Sequence, residues 1–343
     1  MSDFWWQDFL DRNDRWQGLE VIVRENDAST RPLDMQSGHH QRMALQVRGE
    51  TLFWATVLKD YSGVWLVFNA DHRDQQELLP PITSQDIEAI LHKGHEAWTR
   101  EWCRYFARQL MTASLLPARR WLLRPMTQVK NNAPYSLKKP FTVESWHFQS
   151  PTSADKMGCD WTLYAEDLPD LTQPDKVRLV DWWWGGNLLL GRYPVDVNAG
   201  RLKWWRKKSR EGTLPPVLVW YVAGLASYVI LDGHYRFQAA REEGIPPEFL
   251  VIGELHEQVI APDPEKQARI LRSLELQRQK KPDFNVDAMN QMLINLYDTR
   301  YLHAATVSRA VLGSGERWAR EVSDYLRRHQ LEDYLEKIQS REE

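Results

Sequence analysis

Asp232, Gly233, His234, Tyr235 and Arg236 place a carboxylate, a turn residue, an imidazole and a guanidinium in five consecutive positions of this 343-residue chain. The four residues before them, Tyr228 to Leu231, are aromatic, β-branched or aliphatic without a break and read as a buried strand. Asp232-Gly233 stops that strand with turn chemistry, and a helix follows. Asp232 is expected as its N-cap, Phe237, Ala239 and Ala240 give it an apolar side, and Gly244 stands where a left-handed C-terminal cap is expected. Such a turn aims unpaired backbone N–H groups and the positive end of a helix dipole at one point, a common way of holding phosphate. Arg236 would supply a planar, permanently charged fork for phosphate oxygens, and His234 a hydrogen-bond donor or a mobile proton near neutral pH.

The elements around this unit must position it. Pro215, Pro216 and the apolar residues after them read as a strand in hairpin register with residues 228–231, and residues 246–252 supply another strand after the helix. Upstream, Asn198 is expected to cap a helix from Ala199 to Glu211, ended by Gly212. Lys203, Arg206, Lys207, Lys208 and Arg210 make it strongly basic, while Leu202 and Trp205 offer it a buried side. A solvated face is the ordinary meaning of such a run, with an anion or acidic-partner site as the alternative.

In that context the segment from about Tyr193 to Leu255 resembles the ParB N-terminal/sulfiredoxin superfamily, whose members share a small α+β nucleotide-binding fold with an Asp-Gly-His-x-Arg or related signature. The resemblance implies that Asp232 starts the turn and that Gly233, His234 and Arg236 approach the phosphates of a nucleotide. It also implies a nucleoside di- or triphosphate as cofactor, with Mg²⁺ bridging the phosphates and Asp232 offered as a ligand, and His234 and Arg236 as catalytic residues. The departures are specific. Sulfiredoxins carry a catalytic Cys where this chain has His234, and chromosome-partitioning ParB proteins favour Gly-Glu-Arg-Arg where it has Gly233-His234-Tyr235-Arg236. Free-serine kinases and related ParB-like proteins carry Asp-Gly-His-His-Arg, with Tyr235 replacing the second His.

Over the whole chain an α+β organisation in three parts is expected. Residues 1–140 read as a strand meander plus a long helix, 141–258 as the ParB/sulfiredoxin-like domain, and 259–343 as helices. Residues 2–16 are expected as a short helix. Four strand-like runs follow up to Phe68, with His39-His40 in a loop between them. Thr83 and Asp86 form a capping box for a helix running past Gly94 to about Met111, on which His92 and His95 read as surface residues. Further helices are expected over 264–281, 286–297 and 315–339. Residues 307–320 can imitate a helix-turn-helix, although the charges from Pro264 onward nearly balance.

A net charge of −3 argues against general nucleic-acid affinity, Cys103 and Cys159 read as reduced thiols, and no run is apolar enough to span a membrane. A cytoplasmic location is expected. Trp182, Trp183 and Trp184 cannot all point one way on a strand, so they form a candidate protein-contact surface. Three functions follow: a nucleotide-dependent phosphotransferase or phosphohydrolase of the ATP/ADP-dependent kinase type; a non-catalytic immunity or regulatory protein that binds a protein partner; and a DNA-associated regulator.

Overall fold

The computed structural model describes residues 4–11, 14–24, 33–71, 77–94, 97–129, 142–151, 157–183, 187–259, 263–280 and 300–340. The chain opens with β1 (Phe4–Leu10) and β2 (Trp16–Val23), followed by β3 (Leu33–Ser37), β4 (Arg42–Val47), β5 (Glu50–Val57) and β6 (Gly63–Phe68). Helices α1 (Ser84–Leu91) and α2 (Trp98–Thr112) lead to β7 (Arg120–Gln128). Five short strands come next: β8 (His147–Gln149), β9 (Met157–Gly158), β10 (Thr162–Tyr164), β11 (Val177–Asp181) and β12 (Leu188–Leu190). The signature region comprises α3 (Gly200–Arg210), β13 (Val217–Val222), β14 (Ser227–Asp232), α4 (His234–Glu243) and β15 (Phe249–Val259). Then come α5 (Pro264–Lys280), β16 (Arg300–Ala305), β17 (Ser308–Ala310), α6 (Glu316–Arg328) and α7 (Leu335–Gln339).

These elements make a mixed α and β protein with two mixed sheets. The larger runs β1-β2-β7-β15-β13-β14-β12, and the second runs β11-β6-β5-β4-β3-β17. Main-chain hydrogen bonding crosses position 140, because β7 pairs antiparallel with β15 along Met126–Phe249 to Trp121–Glu254. β16 extends the larger sheet from the other side of β15. The hairpin expected from the sequence is present, with β13 antiparallel to β14, and β15 lies parallel to β13.

Several local expectations are corrected. In place of the helix expected over residues 2–16, Phe4–Leu10 is a strand paired with Trp16–Val23, which contains the strand expected at Glu20. Phe4, Trp5, Trp6 and Phe9 favour a pleated surface, and Asp11 makes the reversal by accepting from the Arg15 N–H at 3.0 Å and from Gln17 Nε2 at 3.1 Å. The capping box is real: Thr83 N–H donates to Asp86 Oδ2 at 2.8 Å and Asp86 N–H to Thr83 Oγ1 at 3.2 Å. The helix it starts does not run through, since Gly94 at φ +90° separates α1 from α2. His92 is exposed, and His95 lies outside the described residues. Residues 308–310 are a strand parallel to β3, so the first helix of the expected helix-turn-helix is absent. The helix expected over 315–339 is divided into α6 and α7 by a turn at Gln330, and the one expected over 286–297 lies outside the described residues.

One large core lies between the sheets and under α2, and it holds Cys103 and Cys159 as buried free thiols. A smaller cluster lies on the outer face of the second sheet, where Trp318, Val322, Tyr325, Leu326 and Ile338 cover Ala44, Trp54 and Val67. No helix among the described residues is long and apolar enough to cross a membrane.

Candidate functional site

The strand, turn and helix form as their residues dictate. Ser227 to Leu231 are fully buried, Gly233 reverses the chain at φ +107°, and Gly244 ends α4 in the left-handed region at φ +64°. Asp232 is not the N-cap. That position belongs to Gly233, which makes no side-chain cap bond, and the Asp232 carboxylate turns instead to the residue four positions on. Arg236 Nη2 donates to Asp232 Oδ2 at 2.7 Å and to the Pro216 carbonyl at 3.0 Å.

Arg236 is 1% exposed, and its guanidinium lies over the rings of Trp205 of α3 at 5.4 Å and Phe106 of α2 at 5.9 Å. A cation at a helix N-terminus opposes the dipole, and the adjacent carboxylate removes that conflict. Gly233 is needed a second time here, because a Cβ on it would stand 2.8 Å from Arg236 Nη2.

His234 is also 1% exposed. Its ring stacks on Tyr193 with centroids 3.8 Å apart, and Nε2 accepts the Arg192 backbone N–H at 2.9 Å. The proton of the neutral ring therefore sits on Nδ1, which is buried with no hydrogen-bond partner. Burial, reinforced by the Arg192 and Arg236 charges, holds the imidazole pKa well below its ordinary value, so the ring is neutral at pH 7.

Arg192 escapes a reading of the sequence alone. Its side chain donates to the carbonyls of Ile230 and Leu231 at 2.8 and 2.9 Å, tying the loop after β12 to the end of β14, and burial lowers its pKa to about 10. Gly191-Arg192-Tyr193-Pro194 has turn composition, yet nothing in sequence spacing places it beside His234.

The basic helix is largely matched by acids. Arg206 reaches Glu243 at 2.5 Å and Glu242 at 3.2 Å, Arg210 reaches Glu243 at 2.6 Å, and Lys208 reaches Glu211 at 2.8 Å. It begins at Gly200 with Ala199 as cap, not Asn198. Among the described residues no group of three or more His, Cys, Asp or Glu side chains is arranged to hold a metal ion. Trp182 is half-buried and Trp183 is 74% exposed, next to the edge strand β11 with its exposed Leu179; Trp184 lies outside the described residues.

The arrangement thus joins Asp232 to Arg236, directs Arg236 Nη2 also at the Pro216 carbonyl and gives His234 Nε2 the Arg192 backbone N–H, while His234 Nδ1 and Arg236 Nε are buried without a hydrogen-bond partner among the described residues. Beyond the Tyr193 loop, a cavity of about 230 Å³ opens between β5 and β6 of one sheet and β12 and β14 of the other. Comparison with known proteins yields no matching family model, no matching curated protein and no matching solved structure.

Proposed function

We propose that this chain is a non-catalytic binding protein of the regulatory or immunity kind, in which a ParB/sulfiredoxin-like strand–turn–helix serves as a structural joint. The observation that carries this reading is the internal use of Arg236. A phosphate cradle needs a cation that solvent-borne phosphate can reach, and here Gly233, His234 and Arg236 are all buried. Freeing Arg236 for a ligand would break a buried ion pair at a cost of about 3–5 kcal/mol, or roughly a hundredfold to a few thousandfold in affinity. The partner class is a protein. Trp183 and Leu179, exposed beside an edge strand, supply an aromatic anchor and open main-chain edge groups.

The phosphotransferase reading forecasts the opposite behaviour toward nucleotides, and thermal unfolding separates the two. At about 1 mM, a nucleotide with a Kd of about 10 μM adds about 2.7 kcal/mol of stability. ATP, ADP, CTP and GTP with Mg²⁺ are expected to leave the unfolding temperature unchanged. A saturable rise that Asp232→Asn abolishes would return the signature to phosphate binding. Trp183→Ala is expected to leave stability within about 0.5 kcal/mol while weakening partner binding by about 2 kcal/mol.

A further inference from the structure

We propose that the cavity between the two sheets is a binding site for a small aromatic carboxylate. Its walls are Phe53, Phe68, Leu190, Val229 and the ring of Tyr193, so it is apolar in its depth. An apolar void of about 150 Å³ accepts a single benzene ring, which makes about 230 Å³ the size of a bicyclic aromatic. Phe53 and Phe68, both on the lining, pack against each other with centroids 6.2 Å apart at an interplanar angle of 54°.

The charged residues at the lining are Lys176, Arg192 and Asp175. Asp175 Oδ2 lies 3.8 Å from Arg178, which offsets its charge on the outer side. Lys176 is exposed, and its Nζ lies 3.3 Å from His329 Nδ1, while His329 Nε2 meets Asp71 at 2.9 Å. The rim therefore keeps a net positive charge above an apolar chamber. Arg192, its side chain held by the Ile230 and Leu231 carbonyls, adds a second positive charge at the lining. The chamber holds such a ligand whichever way the signature turn is used.

The test is calorimetric titration of the full chain with 2-naphthoate and, in parallel, with the neutral 2-naphthylmethanol. Saturable binding of the carboxylate is expected. Lys176→Glu, at an exposed position, is expected to weaken 2-naphthoate about tenfold and 2-naphthylmethanol less than about twofold. Val229→Phe fills the chamber from β14 and Phe68→Trp fills it from β6, and whichever variant unfolds cooperatively is expected to bind neither compound. Absence of saturable binding to the folded wild type, equal affinity for the two compounds, or undiminished binding by a folded, filled variant would each overturn the proposal.

Discussion

Arg236 shows how one side chain can be read twice from the same spacing. A carboxylate and a guanidinium four residues apart at the start of a helix suit a phosphate turn, and they equally suit an internal i,i+4 ion pair. The deciding facts are the rings of Phe106 and Trp205, which come from helices about 130 and 30 residues upstream and cover the guanidinium. Arg236→Ala is expected to cost about 3–5 kcal/mol in urea unfolding, since it leaves Asp232 and the Pro216 carbonyl without their donor. In a double-mutant cycle with Asp232→Ala, the coupling should fall within about 0.5–3 kcal/mol, and independent, additive losses would contradict a structural pair. His234 makes a forecast in pH. Its folded pKa is depressed, so the unfolded chain takes up a proton near pH 6.5 that the folded chain refuses, and stability falls as pH drops. Between pH 7.5 and 5.5 that one group lowers stability by on the order of 1 kcal/mol. His234→Gln, which keeps an acceptor for the Arg192 N–H, is expected to lose this part of the slope. The sequence singled out all four signature residues; it could not reveal that His234 and Arg236 are buried.

At the scale of elements, glycines 233 and 244 bound α4 but do unequal work. Gly244 has positive φ and open space around a would-be Cβ, so Gly244→Ala is expected to cost only the left-handed strain, about 1–2 kcal/mol. Gly233 has positive φ and the buried Arg236 at 2.8 Å, so Gly233→Ala adds overpacking of about 1–3 kcal/mol. Equal losses in the two variants would mean that Arg236 yields freely. Both glycines, the capping box of α1 and the β13–β14 hairpin are legible in sequence, because each is decided by residues within a few positions of one another. The N-terminal strands are not. Phe4, Trp5, Phe9 and Trp16 can be spaced onto a helix face, and what makes them strands is pairing of β2 with β7, about 100 residues away. The same holds for residues 308–310, where β3 supplies the partner that a supposed recognition motif lacks.

For the whole molecule, the second sheet is covered on its outer side by α6 and α7. Trp318 Nε1 donates to the Met43 carbonyl at 2.8 Å, the Ala70 N–H donates to the Tyr325 hydroxyl at 3.0 Å, and Arg42 Nη1 reaches the Gly315 carbonyl at 2.9 Å. A chain ended after Leu312 bares Ala44, Trp54 and Val67. It is expected to unfold at a lower temperature and to bind a hydrophobic dye; an unchanged transition without dye binding would mean that the sheet stands without its helices. The division into strands and helices is legible at this scale only in part, because β7, β15 and β16 join one sheet from separate stretches of the chain. That pairing also sets an order of events during synthesis. β7 ends roughly 120 residues before β15 begins, an interval of about 6–25 s on a translating ribosome. For that time Trp121, Leu122 and Leu123 wait beside an open strand edge, so the nascent chain is exposed to aggregation long before its last helix is made, and a chaperone that shields the apolar segment 121–126 would raise its yield more than one acting on the finished chain.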